Sequence, residues 1–188
     1  MPLNALQILW VNFFSDSFPA ISYAFEKDDN SLMHKPSHGK IQLFNPLMKF
    51  LILIIGLSTS LLLFFVYYVL LKLGYDETIV RTFIFAGFGT YSLIMAFPIR
   101  NLHQSIFSYP LFSNHYLTGG IFIGLILMAL AIYWPILQNI FGTVSLSLPW
   151  IIAVLLISLV NISLIELAKW LFRTKSKHTA NKQLVYHS

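Results

Sequence analysis

The sequence predicts an all-α integral membrane bundle of five transmembrane helices. Three observations carry the expectation. Hydrophobic residues make up 57% of the 188 residues and charged residues only 10%, against about 25% charged in an ordinary soluble domain. The apolar residues gather into five runs, each near the roughly 20 residues that a bilayer crossing needs. The basic residues collect in alternate connections between those runs, the asymmetry that sets topology in membranes. A mean hydropathy of +0.73 agrees with lipid as the solvent.

The first run, about 5–25, is the least hydrophobic because it holds Asn12, Ser15 and Asp16. The second, about 50–72, carries no charge from Phe50 to Leu71. The third, about 78–99, contains Arg81 one turn from its start. That arginine is expected to snorkel to the outer interface or to pair with Asp76 or Glu77. The fourth, about 117–138, includes Gly120 and Gly124 in a G-x-x-x-G pair, and Gly87 and Gly89 lie within the third. Small residues of this kind allow close backbone approach in lipid. The fifth, about 149–171, places Glu166 and Lys169 three apart near its end, the spacing of an ordinary helix ion pair. Trp134, Trp150 and Trp170 lie near expected helix ends and fit an interfacial belt. Residues 1–173 form the membrane domain, and 174–188 are a polar basic tail expected to be disordered.

Ten of the 12 Lys and Arg fall in the segment 26–49, in the segment 100–113 and in the stretch from Lys169 onward. The turn Gly74-Tyr75-Asp76-Glu77 is acidic, and 139–148 has no charge. The positive-inside rule therefore puts the N-terminus outside and the C-terminus in the cytoplasm of a multi-pass cell-membrane protein. The same distribution accounts for the net charge of +5 without nucleic acid as a partner. Cysteine is absent, which excludes disulfides and thiolate metal sites, and the six His lack ligand spacing. The N-terminus has no positive region ahead of its apolar run, so no cleavable signal peptide is expected.

The chemistry lies in the first run, Gln7-Ile8-Leu9-Trp10-Val11-Asn12-Phe13-Phe14-Ser15-Asp16-Ser17-Phe18-Pro19. An ionisable group inside an apolar span is expensive and by default marks an ion or substrate path. On an α-helix Asn12, Ser15 and Asp16 share one face. Pro19 lacks a backbone donor and clashes with the preceding turn, so the helix is expected to loosen and free carbonyl oxygens beside the carboxylate. Carboxylate, amide, hydroxyl and spare carbonyls suit a hard cation. The competing reading is a structural polar cluster that holds helices together.

The segment Leu6 to Phe25 resembles the sixth membrane helix of the P-type cation ATPases of the calcium, sodium-potassium and proton branch, which typically reads Q-[IL]-L-W-[VI]-N-L-x-[TS]-D-x-[LF]-P-A. Further along, Glu26 through Met33 and Lys35-Pro36 resemble the acidic stretch and Met-x-Arg-Pro that follow that helix. Val80-Arg81-Thr82 and Ala96-Phe97-Pro98-Ile99-Arg100-Asn101 resemble the two ends of the eighth helix, and Glu166-Leu167-Ala168-Lys169 the end of the tenth. The resemblance covers residues 3 to about 173 in order and implies helices six to ten of a pump. It implies that Asn12, Ser15 and Asp16 are ligands of a transported cation. Ser92 stands where several branches carry Glu or Gln, with Tyr91 before it, which argues against a second cation site. Asn12, where the sodium-potassium branch carries Asp, places the chain nearer the calcium, manganese or proton type.

The family phosphorylates itself on the Asp of a D-K-T-G-T loop, and that sequence does not occur here, nor does a glycine-rich phosphate cradle. The chain alone is not expected to be an ATPase, and no catalytic residue or bound cofactor is expected on it. Met1-Pro2-Leu3 falls where the family's loop before the sixth helix reads L-P-L, a boundary that reads as a truncated gene or misplaced start. Two functions follow. In one, a separate polypeptide supplies the ATP-driven domains and helices one to five. In the other, the chain is a non-catalytic scaffold or regulatory remnant with no transport of its own. The lipid bilayer is a partner in both.

Overall fold

The computed structural model describes residues 1–25, 46–101 and 104–186. Among them the chain is all helix and turn, in the order α1 (Ala5–Trp10), a π turn (Val11–Asp16), α2 (Ser17–Tyr23), α3 (Pro46–Lys72), α4 (Glu77–Ile99), α5 (His115–Tyr133), α6 (Pro135–Phe141) and α7 (Leu148–Tyr186). Two short 3-10 turns, Ile106–Ser108 and Leu111–Ser113, lie between α4 and α5.

Among the described residues four helices, not five, are long and apolar enough to cross a membrane: the Ile55–Lys72 part of α3, α4, α5 and the Leu148–Phe172 part of α7. The expected first span is interrupted, its two α-helical pieces of 6 and 7 residues being separated by the 6-residue π turn. The expected fourth span also ends early. Trp134 takes an extended conformation (φ −84°, ψ 121°), and Pro135 opens α6 as a separate helix. The residue before a proline is driven out of the α region by its ring, which explains the break. At the far end α7 continues to Tyr186, so the polar stretch is helical where disorder was expected. The acidic stretch Glu26 through Met33 and Lys35-Pro36 lie outside the described residues.

The tight hairpin between α3 and α4 follows from three residues. Gly74 adopts φ 84°, which a residue with a Cβ rarely takes. Amides beyond the helix end turn back to the last carbonyls, Gly74 N to Leu71 O at 3.1 Å and Tyr75 N to Leu70 O at 3.3 Å. Asp76 then caps α4, its carboxylate accepting from Thr78 N at 2.9 Å and Ile79 N at 3.2 Å. Arg81 Nε is buried without a hydrogen-bond partner among the described residues.

Helix α4 is the hub, in contact with α3, α5, α7 and the π turn. Its Ala86, Gly87, Gly89 and Ala96 let neighbours approach closely, and Val80, Phe85 and Leu93 are fully buried among them. By contrast, α3 turns Leu53, Leu57, Leu61, Phe64 and Phe65 outward. A bundle in lipid gains nothing by hiding such side chains. The two glycines of the G-x-x-x-G pair serve different neighbours: a Cβ on Gly120 would meet Ser22 and Phe18 of α2, and one on Gly124 would run into Leu93 of α4.

Candidate functional site

The site is built from the interrupted first span. Asn4 and Gln7 form a capping box that starts α1: the Asn4 side chain accepts from Gln7 N at 2.8 Å, and Gln7 Oε1 accepts from Asn4 N at 3.0 Å. After Trp10 the backbone widens into the π turn, and Asn12, Ser15 and Asp16 all lie inside it. Such single-turn π bulges are costly and recur at functional sites. Pro19 sits in α2, just beyond, with no N–H to give to the carbonyl of Ser15. The loosening expected around Pro19 therefore begins one turn earlier and encloses the three candidate ligands.

The wider turn changes their angular spacing. Asn12 and Asp16 are exposed at the surface of the described bundle. Ser15 is 2% exposed and faces α4, where a Cβ placed on Gly89 would lie 3.5 Å from its hydroxyl and collide with Met128. The three side chains thus do not share a single outward face, as a regular α-helix would have arranged them.

Asp16 borders a cavity of about 390 Å³ whose polar lining is completed by Thr59 and Ser60 of α3 and by Tyr91 and Ser92 of α4. The remaining walls are mostly apolar, among them Ile55, Phe88 and Ile165. Ser92, which brings a hydroxyl but no charge, faces the same cavity as Asp16. Behind this lining, the Thr59 hydroxyl donates to Asn161 Oδ1 at 2.9 Å and stands 3.2 Å from the Tyr91 hydroxyl. Asn161 Nδ2 in turn donates to Ile157 O at 2.9 Å. Thr59, Tyr91 and Asn161 are all buried. They satisfy one another across α3, α4 and α7, as buried polar groups must. Sequence reasoning missed this triad, although the signal that singled out Asp16, a polar residue within an apolar run, also marks Thr59 and Asn161.

Among the described residues no group of three or more His, Cys, Asp or Glu could hold a metal ion. A cation at the π turn would meet one carboxylate, that of Asp16, with amide, hydroxyl and main-chain oxygens around it. The Glu166–Lys169 pair lies elsewhere, at 2.7 Å, with Lys169 fully buried and also donating to Gln104 O at 3.1 Å. Ser105 adds a bond to the other carboxylate oxygen of Glu166 at 3.1 Å.

Comparison with known proteins gives a concordant result. The family described as cation transporting ATPase, C-terminus, matches residues 1–171. A calcium-transporting ATPase 1 of Bacillus cereus is 33% identical over 186 residues, covering 89% of this chain and 21% of the relative. A calcium-transporting ATPase of Bacillus subtilis is 34% identical over 153 residues, covering 78% of this chain and 17% of the relative. The human calcium-transporting ATPase type 2C member 1 is 32% identical over 150 residues, covering 78% and 16%. The chain therefore spans about a fifth of the length of the curated relatives it matches.

Proposed function

The chain belongs to the cation-transporting ATPase family, as its C-terminal membrane region, and on that premise we propose that it supplies one wall of a transported-cation site. Asn12, Ser15 and Asp16 are ligands in this reading, and Asp16 provides the negative charge. The observation that carries the proposal is their common position in the π turn, beside a proline that leaves a carbonyl without its helical donor.

The names of the relatives point to calcium as the cargo. Calcium takes six to eight oxygens, more than this turn can offer, so the rest come from groups outside it. The exposure of Asn12 and Asp16 supports the same conclusion. A carboxylate facing lipid costs roughly 2.5 kcal/mol or more, and protein or water must cover that face. The cover carries the remaining oxygens and belongs to the part of a pump that couples ATP hydrolysis to transport, whether on the same polypeptide or a separate one. The N-terminus lies outside and the C-terminus in the cytoplasm, following the distribution of basic residues.

The test is recovery of the tagged chain from native membranes with mass spectrometry of what accompanies it, and a cation-stimulated ATPase assay with Asp16→Asn in parallel. Co-purification of pump domains, with stimulated hydrolysis lost in the variant, is the expected result. Recovery without such domains and without stimulated turnover would overturn the proposal and leave a scaffold whose motif records ancestry.

A further inference from the structure

We propose that Gln7 is a positioning residue for the π turn, and that with Asn4 it holds Asn12, Ser15 and Asp16 in their site geometry; this rests on the cation reading of those residues. Both carboxamides converge on one acceptor. Asn4 Nδ2 donates to Phe141 O at 2.8 Å and Gln7 Nε2 donates to the same oxygen at 3.1 Å. That carbonyl belongs to the last residue of α6, where the final turn lacks intrahelical donors. Gln7 is completely buried, so its carboxamide cannot exchange these bonds for water. The contact continues through rings: Phe141 packs against Trp10 at 4.8 Å, and Trp10 is the residue from which the π turn starts. The upstream half of the span is thereby fixed in both depth and rotation against α6.

The downstream half is fixed independently. Asn114 Nδ2 donates to Ser22 O at 3.2 Å, the Ser22 hydroxyl stands 3.1 Å from Tyr116 O, and the Tyr23 hydroxyl donates to Ala96 O at 2.6 Å. A π bulge accommodates one residue more than an α-helix over the same length. Relaxing it to α geometry rotates one flank against the other by about 100°, the angle of one residue. With both flanks clamped, that rotation would break one set of bonds or the other, so the turn stays wide. Releasing the Gln7 clamp removes the upstream constraint, and part of the rotation then falls between Asn12 and Asp16.

The experiment uses the full chain in lipid nanodiscs, with terbium as a hard-cation probe whose luminescence is sensitised by Trp10. It compares wild type, Gln7→Met, which keeps the volume and removes the carboxamide, and Asp16→Asn. Hydrogen exchange of the 11–16 amides is measured on the same samples. Expected are an apparent terbium affinity about tenfold weaker in Gln7→Met and faster exchange confined to 11–16, with the helical content of wild type. Unchanged affinity in Gln7→Met while Asp16→Asn abolishes binding would overturn the positioning role and leave the cation site standing. If wild type binds terbium and Asp16→Asn binds it equally, the cation reading fails instead. If wild type alone binds none, the oxygens from outside the turn are what it lacks, and affinity is silent. The exchange data then decide alone, and unchanged exchange at 11–16 in Gln7→Met overturns the clamp.

Discussion

Replacing Glu166 by leucine removes the carboxylate paired with the buried Lys169 ammonium near the end of the apolar part of α7. Lys169 has no exposed side-chain surface and Glu166 keeps 16%, and their 2.7 Å contact is the shortest polar contact that either side chain makes among the hydrogen bonds described above. Removing one partner of a buried pair costs about 3–5 kcal/mol, because the remaining charge stays desolvated. The Gln104 carbonyl at 3.1 Å still accepts from Lys169 in the variant, which puts the expectation at the lower end, about 3 kcal/mol. For a chain of this size that is a fall of about 6–12 °C in the unfolding midpoint. Lys169→Met costs less, since the Glu166 carboxylate keeps the Ser105 hydroxyl and some exposure. The informative variant is the double replacement, Glu166→Leu with Lys169→Met. Two apolar side chains of similar volume restore a packed interior, and stability returns to within about 1 kcal/mol of wild type. Thermal unfolding in mild detergent, followed by near-ultraviolet circular dichroism, completes the double-mutant cycle. A double variant no more stable than Glu166→Leu would refute the reasoning, because the loss would then come from packing and not from an uncompensated charge.

The adjacent pair Gly119 and Gly120 offers a contrast within one turn of α5. A Cβ on Gly119 meets nothing within 4 Å, whereas one on Gly120 lies 2.9 Å from the Ser22 hydroxyl and 3.4 Å from the Phe18 carbonyl. Gly119→Ala is expected to be neutral or to stabilise by up to about 1 kcal/mol, and Gly120→Ala to destabilise by about 1–3 kcal/mol, as read by thermal unfolding. In the buried triad, Thr59→Val deprives Asn161 Oδ1 of its donor and is expected to cost about 1 kcal/mol. Thr59→Ser retains the hydroxyl and should preserve the amide exchange rates of α7 that Thr59→Val raises.

Most of the architecture was legible because hydropathy and length determine whether a segment crosses lipid, and neither depends on neighbours. Thus α3, α4 and the apolar part of α7 fall where their runs predict. The fourth run was drawn too long because composition continues smoothly through Trp134-Pro135, while the backbone cannot. The first run was read as one helix because residue types alone contain no sign of a π turn. Its existence depends on what holds each flank, Phe141 on one side and Asn114 and Ala96 on the other, residues far away in the chain.

The sequence by itself determined that this is a membrane chain, where its apolar helices lie, and that Asn12, Ser15 and Asp16 form the polar set of an otherwise apolar run. Each of those properties is local. Only the tertiary structure decided that Ser15 turns inward against Gly89 while Asn12 and Asp16 stay exposed, that Asp16 borders a cavity with Thr59, Tyr91 and Ser92, and that Lys169 is buried beneath the segment between α4 and α5. Side-chain direction in a helix follows from the turn that carries it, and here that turn is set by hydrogen bonds between residues more than 70 positions apart.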